Sequence, residues 1–201
     1  MRYLLFVLLL FVGGCATQSR GPTGPVDLPA QLATLAEINQ WQAKGKMALK
    51  EEEEAFSASM RWKVDNANFE FKLTNLLGIT LVDMKSDNAI TTLEADGETY
   101  QDSDASRLIS RVTGWSIPVT QLINWTKGLP NPEDQYVLRE DGLVASLTPG
   151  CTRCEQWEIR YDRYRQIDGI WLPHSVVLQH RFLPNQWIKI RISAWTLNHQ
   201  K

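Results

Sequence analysis

The chain has 201 residues, carries 21 Lys+Arg against 23 Asp+Glu for a formal net charge of -2, and is 43% hydrophobic. That composition describes a folded globular protein and excludes a disordered or low-complexity chain. The near-neutral balance lacks the dense Lys/Arg field that nonspecific nucleic-acid binding needs, so no nucleic-acid partner is expected. The length fits one domain or two.

The N-terminus is a different object from the rest. Arg2 supplies a positive start, and Tyr3 opens a ten-residue apolar run that ends at Val12. A membrane-spanning helix needs roughly 20 apolar residues, so this run matches a signal-peptide core instead. The string Val12-Gly13-Gly14-Cys15 resembles a bacterial lipobox. The alternative is an ordinary secretory leader that happens to contain a cysteine. The lipobox reading implies that residues 1–14 are a removable signal peptide and that Cys15 is the lipidation site. One acyl chain holds a protein only marginally, so the several chains of a lipoprotein cysteine are what anchor it. In bacterial lipoproteins an Asp after the cysteine often favours inner-membrane retention. Ala16 stands there instead, which favours the outer membrane. Residues 15–30 include Gly21, Pro22, Gly24, Pro25 and Pro29 without apolar periodicity, and read as a flexible tether.

Residues 31–201 form the expected folded unit. Leu32, Leu35, Ala36 and Ile38 recur at helical spacing, predicting an amphipathic helix that closes near Gly45. The period then changes to two. Phe56, Ala58, Met60 and Trp62 alternate with Ser57, Ser59, Arg61 and Lys63. Phe69, Phe71 and Leu73 alternate with Asn68, Glu70, Lys72 and Thr74. These are half-buried antiparallel strands. Further strands are predicted over 44–50, 79–85 and 89–95. Asp96-Gly97 and Asp141-Gly142 are hairpin-turn signals. The glutamate run 51–54 reads as a solvated hairpin tip.

Two helices follow. Asp102 or Ser103 can cap one that carries Leu108, Ile109 and Val112 and closes at Gly114. Pro118 opens the second, with Leu122, Ile123 and Trp125, closing at Gly128. Strands resume over 136–140, 143–147, 157–161, 175–182 and 187–195. The fold class is therefore mainly β (α+β): a curved antiparallel sheet or open barrel with helices over one face. The eight tryptophans either fill the core or line an apolar ligand cavity, with core the first reading for most.

Enzymatic signatures are missing. The sequence has no Gly-rich phosphate loop, no G-x-S-x-G elbow and no H-E-x-x-H. His174 and His180 fall on one strand, but a zinc site would need further ligands. The chain is read as a non-enzyme with no cofactor and no metal. Cys151 and Cys154 form C-T-R-C at a turn between strands. No βαβ unit surrounds the pair and no second ligand pair follows, so a structural disulfide in an oxidising compartment is the first reading. Redox or metal roles and free thiols are the alternatives.

One segment stands apart. Leu73-Thr74-Asn75-Leu76-Leu77-Gly78-Ile79-Thr80 puts two leucines where a turn normally carries polar residues. On physical grounds they either fold back into the core or stand out. The surrounding motifs are Trp41-Gln42-Ala43-Lys44-Gly45, Thr113-Gly114, Ile117-Pro118-Val119, Trp125-Thr126-Lys127-Gly128-Leu129-Pro130 and the late Trp195. With the lipobox, this ordered set resembles the LolB family of outer-membrane lipoprotein receptors, from about residue 35 to 195.

The resemblance implies an incomplete antiparallel β-barrel with a helical lid over a hydrophobic cavity. It implies an outer-membrane, lipid-anchored receptor on the periplasmic face. Such a receptor accepts lipoproteins from a soluble LolA-like carrier and inserts them into the membrane without nucleotide. The implied partners are that carrier, lipoprotein acyl chains and outer-membrane phospholipid, and the expected state is a monomer. By the family pattern, Leu77 before Gly78 is the membrane-insertion residue. The family often has proline where this chain has Leu76, so the apolar tip is doubled. Acyl-chain cavity candidates, from strand and helix faces, are Met60, Trp62, Phe69, Phe71, Leu73, Leu108, Ile109, Ile123, Trp125, Ile188 and Ile190. Two rival readings stand beside this one. The first is a structural or sensor lipoprotein of the same fold that does not hand cargo on. The second is a thiol–disulfide enzyme built on Cys151 and Cys154.

Overall fold

A computed structural model describes residues 21–87, 89–152 and 154–198. The leader and Cys15 lie outside the described residues. Helix α1 spans Leu28–Glu37. The Asp27 side chain accepts from the Ala30 amide at 3.1 Å, and Pro29 sits in the first turn, where a missing N–H is harmless. The Val26 amide donates to the Asp141 carbonyl at 2.9 Å. The fixed chain therefore starts before residue 31, and this end of the expected tether is fastened to the domain.

The helix also ends earlier than expected. It stops at Glu37, with Ile38 already extended. Strand β1 covers Gln40–Glu51, so Trp41-Gln42-Ala43-Lys44-Gly45 is strand and not the end of a helix. The physical reason is the period. Trp41, Ala43 and Met47 are buried on alternate positions, the two-residue period of a strand. Gly45 is needed where it stands. A Cβ there would lie 2.0 Å from the Arg191 carbonyl oxygen, at the point where the strand pairing shifts register.

The next strands are β2 (Glu54–Asp65), β3 (Asn68–Thr74), β4 (Thr80–Asp87), β5 (Ile90–Ala95) and β6 (Glu98–Asp102). Helices α2 (Ala105–Thr113) and α3 (Val119–Thr126) follow. Asp104, rather than Asp102 or Ser103, caps α2, and Gly114 closes it in the left-handed conformation. The chain then forms β7 (Gln135–Leu138), β8 (Val144–Thr148), β9 (Trp157–Asp162), the small hairpin β10 (Arg165–Ile167) and β11 (Ile170–Leu172), β12 (Ser175–His180) and β13 (Trp187–Leu197).

Eleven strands make one sheet in the order β6-β5-β4-β3-β2-β1-β13-β12-β9-β8-β7. Each neighbouring pair is antiparallel. The sheet curves, but its terminal strands β6 and β7 stay unpaired with one another, so the barrel is incomplete. Three of the strands carry no sequence signal. β6 is polar throughout except for Tyr100, and β10 and β11 are three residues each, too short to show a period.

Alternation sends one set of side chains to the concave face. Register lines them up in rows across the sheet. One row runs Tyr100, Leu93, Met84, Phe71, Trp62, Ala43, Trp195. Another runs Phe56, Leu49, Ile188, Leu178, Ile159, Leu147. The opposite face carries Lys44, Lys46, Arg61 and Lys63, all exposed. A one-residue slip would exchange these two sets, so the burial pattern itself fixes the register.

Candidate functional site: an apolar concave face and an exposed leucine tip

Six tryptophans are buried, and three of them build the centre of the concave face. The Trp41 ring meets Trp62 and Trp195 edge-on at 5.3 Å each, and Trp62 meets Phe71 at 5.5 Å. Such contacts add about 0.5–1.5 kcal/mol per pair beyond burial. Of the sequence-derived cavity candidates, Met60, Trp62, Phe69, Leu73, Leu108, Trp125, Ile188 and Ile190 are buried in one continuous apolar cluster. Phe71, Ile109 and Ile123 are half-buried against it. The structure thus brings all eleven to one body of apolar side chains.

Two helices close that body, and they are held very differently. α3 is fastened from inside. Trp125 Nε1 donates to Asp134 Oδ2 at 2.7 Å, and the same carboxylate accepts from the Asn131 and Gly150 amides. Beside it Lys127, only 2% exposed, donates its Nζ to the Leu35 and Ile38 carbonyls at 2.9 and 2.8 Å. Burial lowers its pKa to about 8. These bonds clamp α3 to the end of α1.

α2 is fastened from outside. It fully buries only Leu108, with Ile109 and Val112 half-buried. Its other ties are polar: Ser106 Oγ accepts from the Val119 amide of α3 at 2.9 Å, and two exposed arginines reach a nearly buried carboxylate. Arg107 and Arg111 both pair with Asp102, and Arg111 Nη2 donates to the Gln101 carbonyl at 3.1 Å. Hydrogen bonding from Arg107, then from the Asp104 amide, holds the Asp102 carboxyl well below the usual carboxylate range. The 920 Å³ cleft between α2, α3 and the β2–β5 edge is lined mainly by polar groups, with Phe69, Ile117 and Ile123 among its apolar ones. Of the candidates, only Phe69 and Ile123 reach that cleft.

Several buried polar atoms have no hydrogen-bond partner. Trp41 Nε1, Trp62 Nε1 and Tyr161 Oη are among them. Each is a donor that a buried carbonyl of a guest would satisfy, and leaving one unpaired costs about 1–3 kcal/mol.

The leucine tip is built by Asn75. Its side-chain Oδ1 accepts from the Leu77 and Ile79 amides at 2.9 and 3.0 Å, and its amide donates to the Ile79 carbonyl at 2.9 Å. Gly78 adopts φ +82°, which L side chains rarely do. The loop is therefore ordered, and it holds Leu76 93% exposed and Leu77 84% exposed. They do not fold back into the core.

Cys151 and Cys154 are joined by a disulfide with Cα atoms 5.4 Å apart. It lies in the β8–β9 connection, just before Gln156 and Trp157, which donate to the Ser116 carbonyl between α2 and α3. His174 donates from Nδ1 to the Ile192 carbonyl at 2.8 Å. No group of three metal-capable residues occurs among the described residues. No helix among them is long and apolar enough to cross a membrane.

Residues 39–195 match the family model for outer membrane lipoprotein LolB. This chain belongs to the LolB family. It is 34% identical to the outer-membrane lipoprotein LolB of Aeromonas hydrophila over 196 residues, covering 96% of each chain. It is likewise 34% identical to that of Vibrio cholerae, covering 94% of this chain and 92% of the relative. Two solved structures share the fold at low identity. A LolA superfamily protein from Nitrosomonas europaea aligns over 88% of this chain and 96% of its own, with a TM-score of 0.53 at 11% identity. A putative outer membrane lipoprotein-sorting protein domain from Vibrio parahaemolyticus aligns over 85% and 92%, with a TM-score of 0.55 at 12% identity. The open sheet with helices across its concave face is thus a fold shared with these structures, and membership of the LolB family comes from the sequence match.

Some of the site was missed by sequence reasoning. The sequence reading puts Trp41 at a helix end, although its alternation with Ala43 is that of a strand. Lys127 and Asp134 gave no signal, because a buried clamp depends on where the helices meet. The strand expected over 175–182 takes in Phe182, but it ends at His180, and Phe182 and Leu183 are both exposed in the turn that Pro184-Asn185 signals.

Proposed function

We propose that this outer-membrane lipoprotein receptor takes the acyl chains of its cargo against the concave face of the sheet, beneath α2 and α3. The observation that carries this reading is the unbroken apolar surface of that face, closed on one side by a lightly held helix. An acyl chain of about fifteen methylenes costs about 12 kcal/mol to expose to water. A carrier-to-receptor handover therefore needs a second apolar wall ready before the first is left. Met60, Trp62, Phe71, Leu73 and the helix residues Leu108, Ile109 and Ile123 supply that wall. The unpaired donors of Trp41, Trp62 and Tyr161 suit ester or amide carbonyls at the heads of the chains.

Opening is assigned to α2. Its outer ties are ion pairs from the exposed Arg107 and Arg111, and one hydrogen bond, from the Val119 amide to Ser106, joins it to α3, whereas α3 is held from inside through Asp134 and Lys127. Pairs whose cations stand in water are weak, about 1 kcal/mol each, so α2 can lift while α3 stays once the Ser106–Val119 hydrogen bond opens. The Leu76–Leu77 tip then meets the lipid interface during delivery. No nucleotide is required if affinity rises from carrier to receptor to membrane. The receptor works as a monomer anchored through Cys15, which keeps loaded protein at the bilayer.

The test is a handover experiment. Lipoprotein bound to its soluble carrier is mixed with vesicles that display this receptor, or with bare vesicles. Cargo should float with the receptor vesicles without nucleotide. Cargo left on the carrier in both samples would refute the reading.

A further inference from the structure

The loop between β12 and β13 spends ordered hydrogen bonds on keeping two large apolar side chains in water. Phe182 is 71% exposed and Leu183 is 53% exposed. Both of their amides donate to His180 Nδ1, at 3.2 and 3.0 Å. Gln179 Nε2 donates to the Pro184 and Gln186 carbonyls, and the Gln186 amide donates to the Leu183 carbonyl at 2.9 Å. The His180 ring must be neutral to accept, and burial favours that by lowering its pKa. A loop free to collapse would turn Phe182 inward, where Trp157 already packs against His180.

The surroundings have interfacial chemistry. Arg181 lies over the Phe182 ring at 5.9 Å, and Lys189 Nζ lies 3.9 Å from the Trp187 ring centre. An apolar tip flanked by a half-buried tryptophan and long cations suits the boundary between headgroups and acyl chains.

Register places this loop on the same rim of the sheet as the leucine tip. Trp187 pairs with Lys50 and Lys50 with Ala55. Thr74, where the leucine loop begins, pairs with Ser59 on that same strand, β2. Both loops leave the sheet toward the Glu51/Glu54 end of the β1–β2 hairpin, which stands between them. Gln186 Nε2 reaches Glu51 at 3.3 Å. The glutamates of that hairpin resist immersion and add nothing to attraction for anionic lipid. They confine both tips to shallow insertion, driven by apolar burial.

We propose that Phe182 and Leu183 form a second membrane-contact point, which inserts into the phospholipid interface alongside Leu76 and Leu77 and fixes the rim against the bilayer. One point leaves the domain free to pivot. Two points, on either side of the β1–β2 hairpin, set its orientation. This proposal rests on the reading of the leucine tip as a membrane contact, and the experiment separates the two.

Single cysteines replace Leu77, Phe182, Leu183 or, as a control on the opposite rim, Gln166. Each is nitroxide-labelled in the full lipidated chain, with Cys151 and Cys154 left in their disulfide. The protein is reconstituted into vesicles of phosphatidylcholine and phosphatidylethanolamine, with and without phosphatidylglycerol. Accessibility to oxygen and to an aqueous nickel chelate is then measured. Labels at 77, 182 and 183 should all favour oxygen, the label at 166 should favour nickel, and phosphatidylglycerol should change little. A label at 77 in lipid with 182 and 183 in water overturns the second contact and leaves the first. Labels at 182 and 183 in lipid with 77 in water support the second contact and overturn the leucine-tip reading. All three in water overturn both. As an independent check, Phe182→Ser combined with Leu183→Ser should slow cargo delivery about tenfold while leaving cargo acceptance intact. Unchanged delivery overturns the proposal.

Discussion

Leu77→Glu should separate accepting cargo from delivering it. The side chain is 84% exposed, so the folded protein gains almost nothing from its packing. Surface substitutions of this kind change stability by about 0.5 kcal/mol or less. The loop should also survive, because Asn75 Oδ1 binds the Leu77 and Ile79 amides and no side-chain atom of Leu77. Moving that leucine from water into a bilayer is worth about 1.5–3 kcal/mol. Removing it should therefore weaken membrane engagement by a factor of roughly 10 to 150, and a glutamate adds a desolvation penalty on top. The assay uses labelled lipoprotein on its carrier, receptor in detergent-free vesicles and flotation over time. The variant should strip cargo from the carrier at the normal rate and release it to lipid at least about tenfold more slowly. Normal release would refute the role of the tip. Failed stripping would show that the leucine serves carrier contact instead.

Two further predictions concern how the helices are held. Lys127→Met leaves the Leu35 and Ile38 carbonyls without their buried donor. The loss should be about 2–4 kcal/mol in urea unfolding, and an unchanged midpoint would contradict the clamp. Asp102→Asn weakens the clasp on α2. It should raise hydrogen exchange in α2 and speed cargo uptake, while α3 keeps its protection. The pH dependence follows from the depressed Asp102 pKa. A carboxylate with a lowered folded pKa contributes above its unfolded value and is lost only as pH falls through the folded value. The wild-type clasp should therefore hold steady from about pH 5 to 8. Opening of α2 on going from pH 7 to 5.5 would argue against it.

Alternating patterns made the sheet legible. Phe56, Ala58, Met60 and Trp62 announce a two-residue period, and every one of them points to the concave side as that period requires. The leucine loop was legible as an anomaly, since Leu76 and Leu77 occupy a turn where polar residues are usual. Its exposure was a matter of backbone geometry. Asn75 and the left-handed Gly78 hold it out, and neither residue reveals that by type. The α1–β1 junction was misjudged because Leu35 and Ile38 continue smoothly into Trp41, and only the later alternation through Met47 breaks the tie. The unequal fastening of α2 and α3 had no local signature at all. It depends on Lys127 meeting carbonyls far away in the chain, and on Asp134 gathering donors from three separate places around α3.

The concave face is the centre of the account, and site-specific photo-crosslinking tests it most directly. A photoreactive amino acid replaces Phe71 on the inner face, Ile123 under the helices, or Arg61 and Lys46 on the outer face. Each variant is loaded from carrier carrying lipoprotein with radiolabelled acyl chains, then irradiated. Label should attach to the proteins with probes at 71 and 123, and not to those with probes at 61 and 46. Labelling confined to the outer-face probes, or absent from position 71 while cargo is demonstrably bound, would contradict the account.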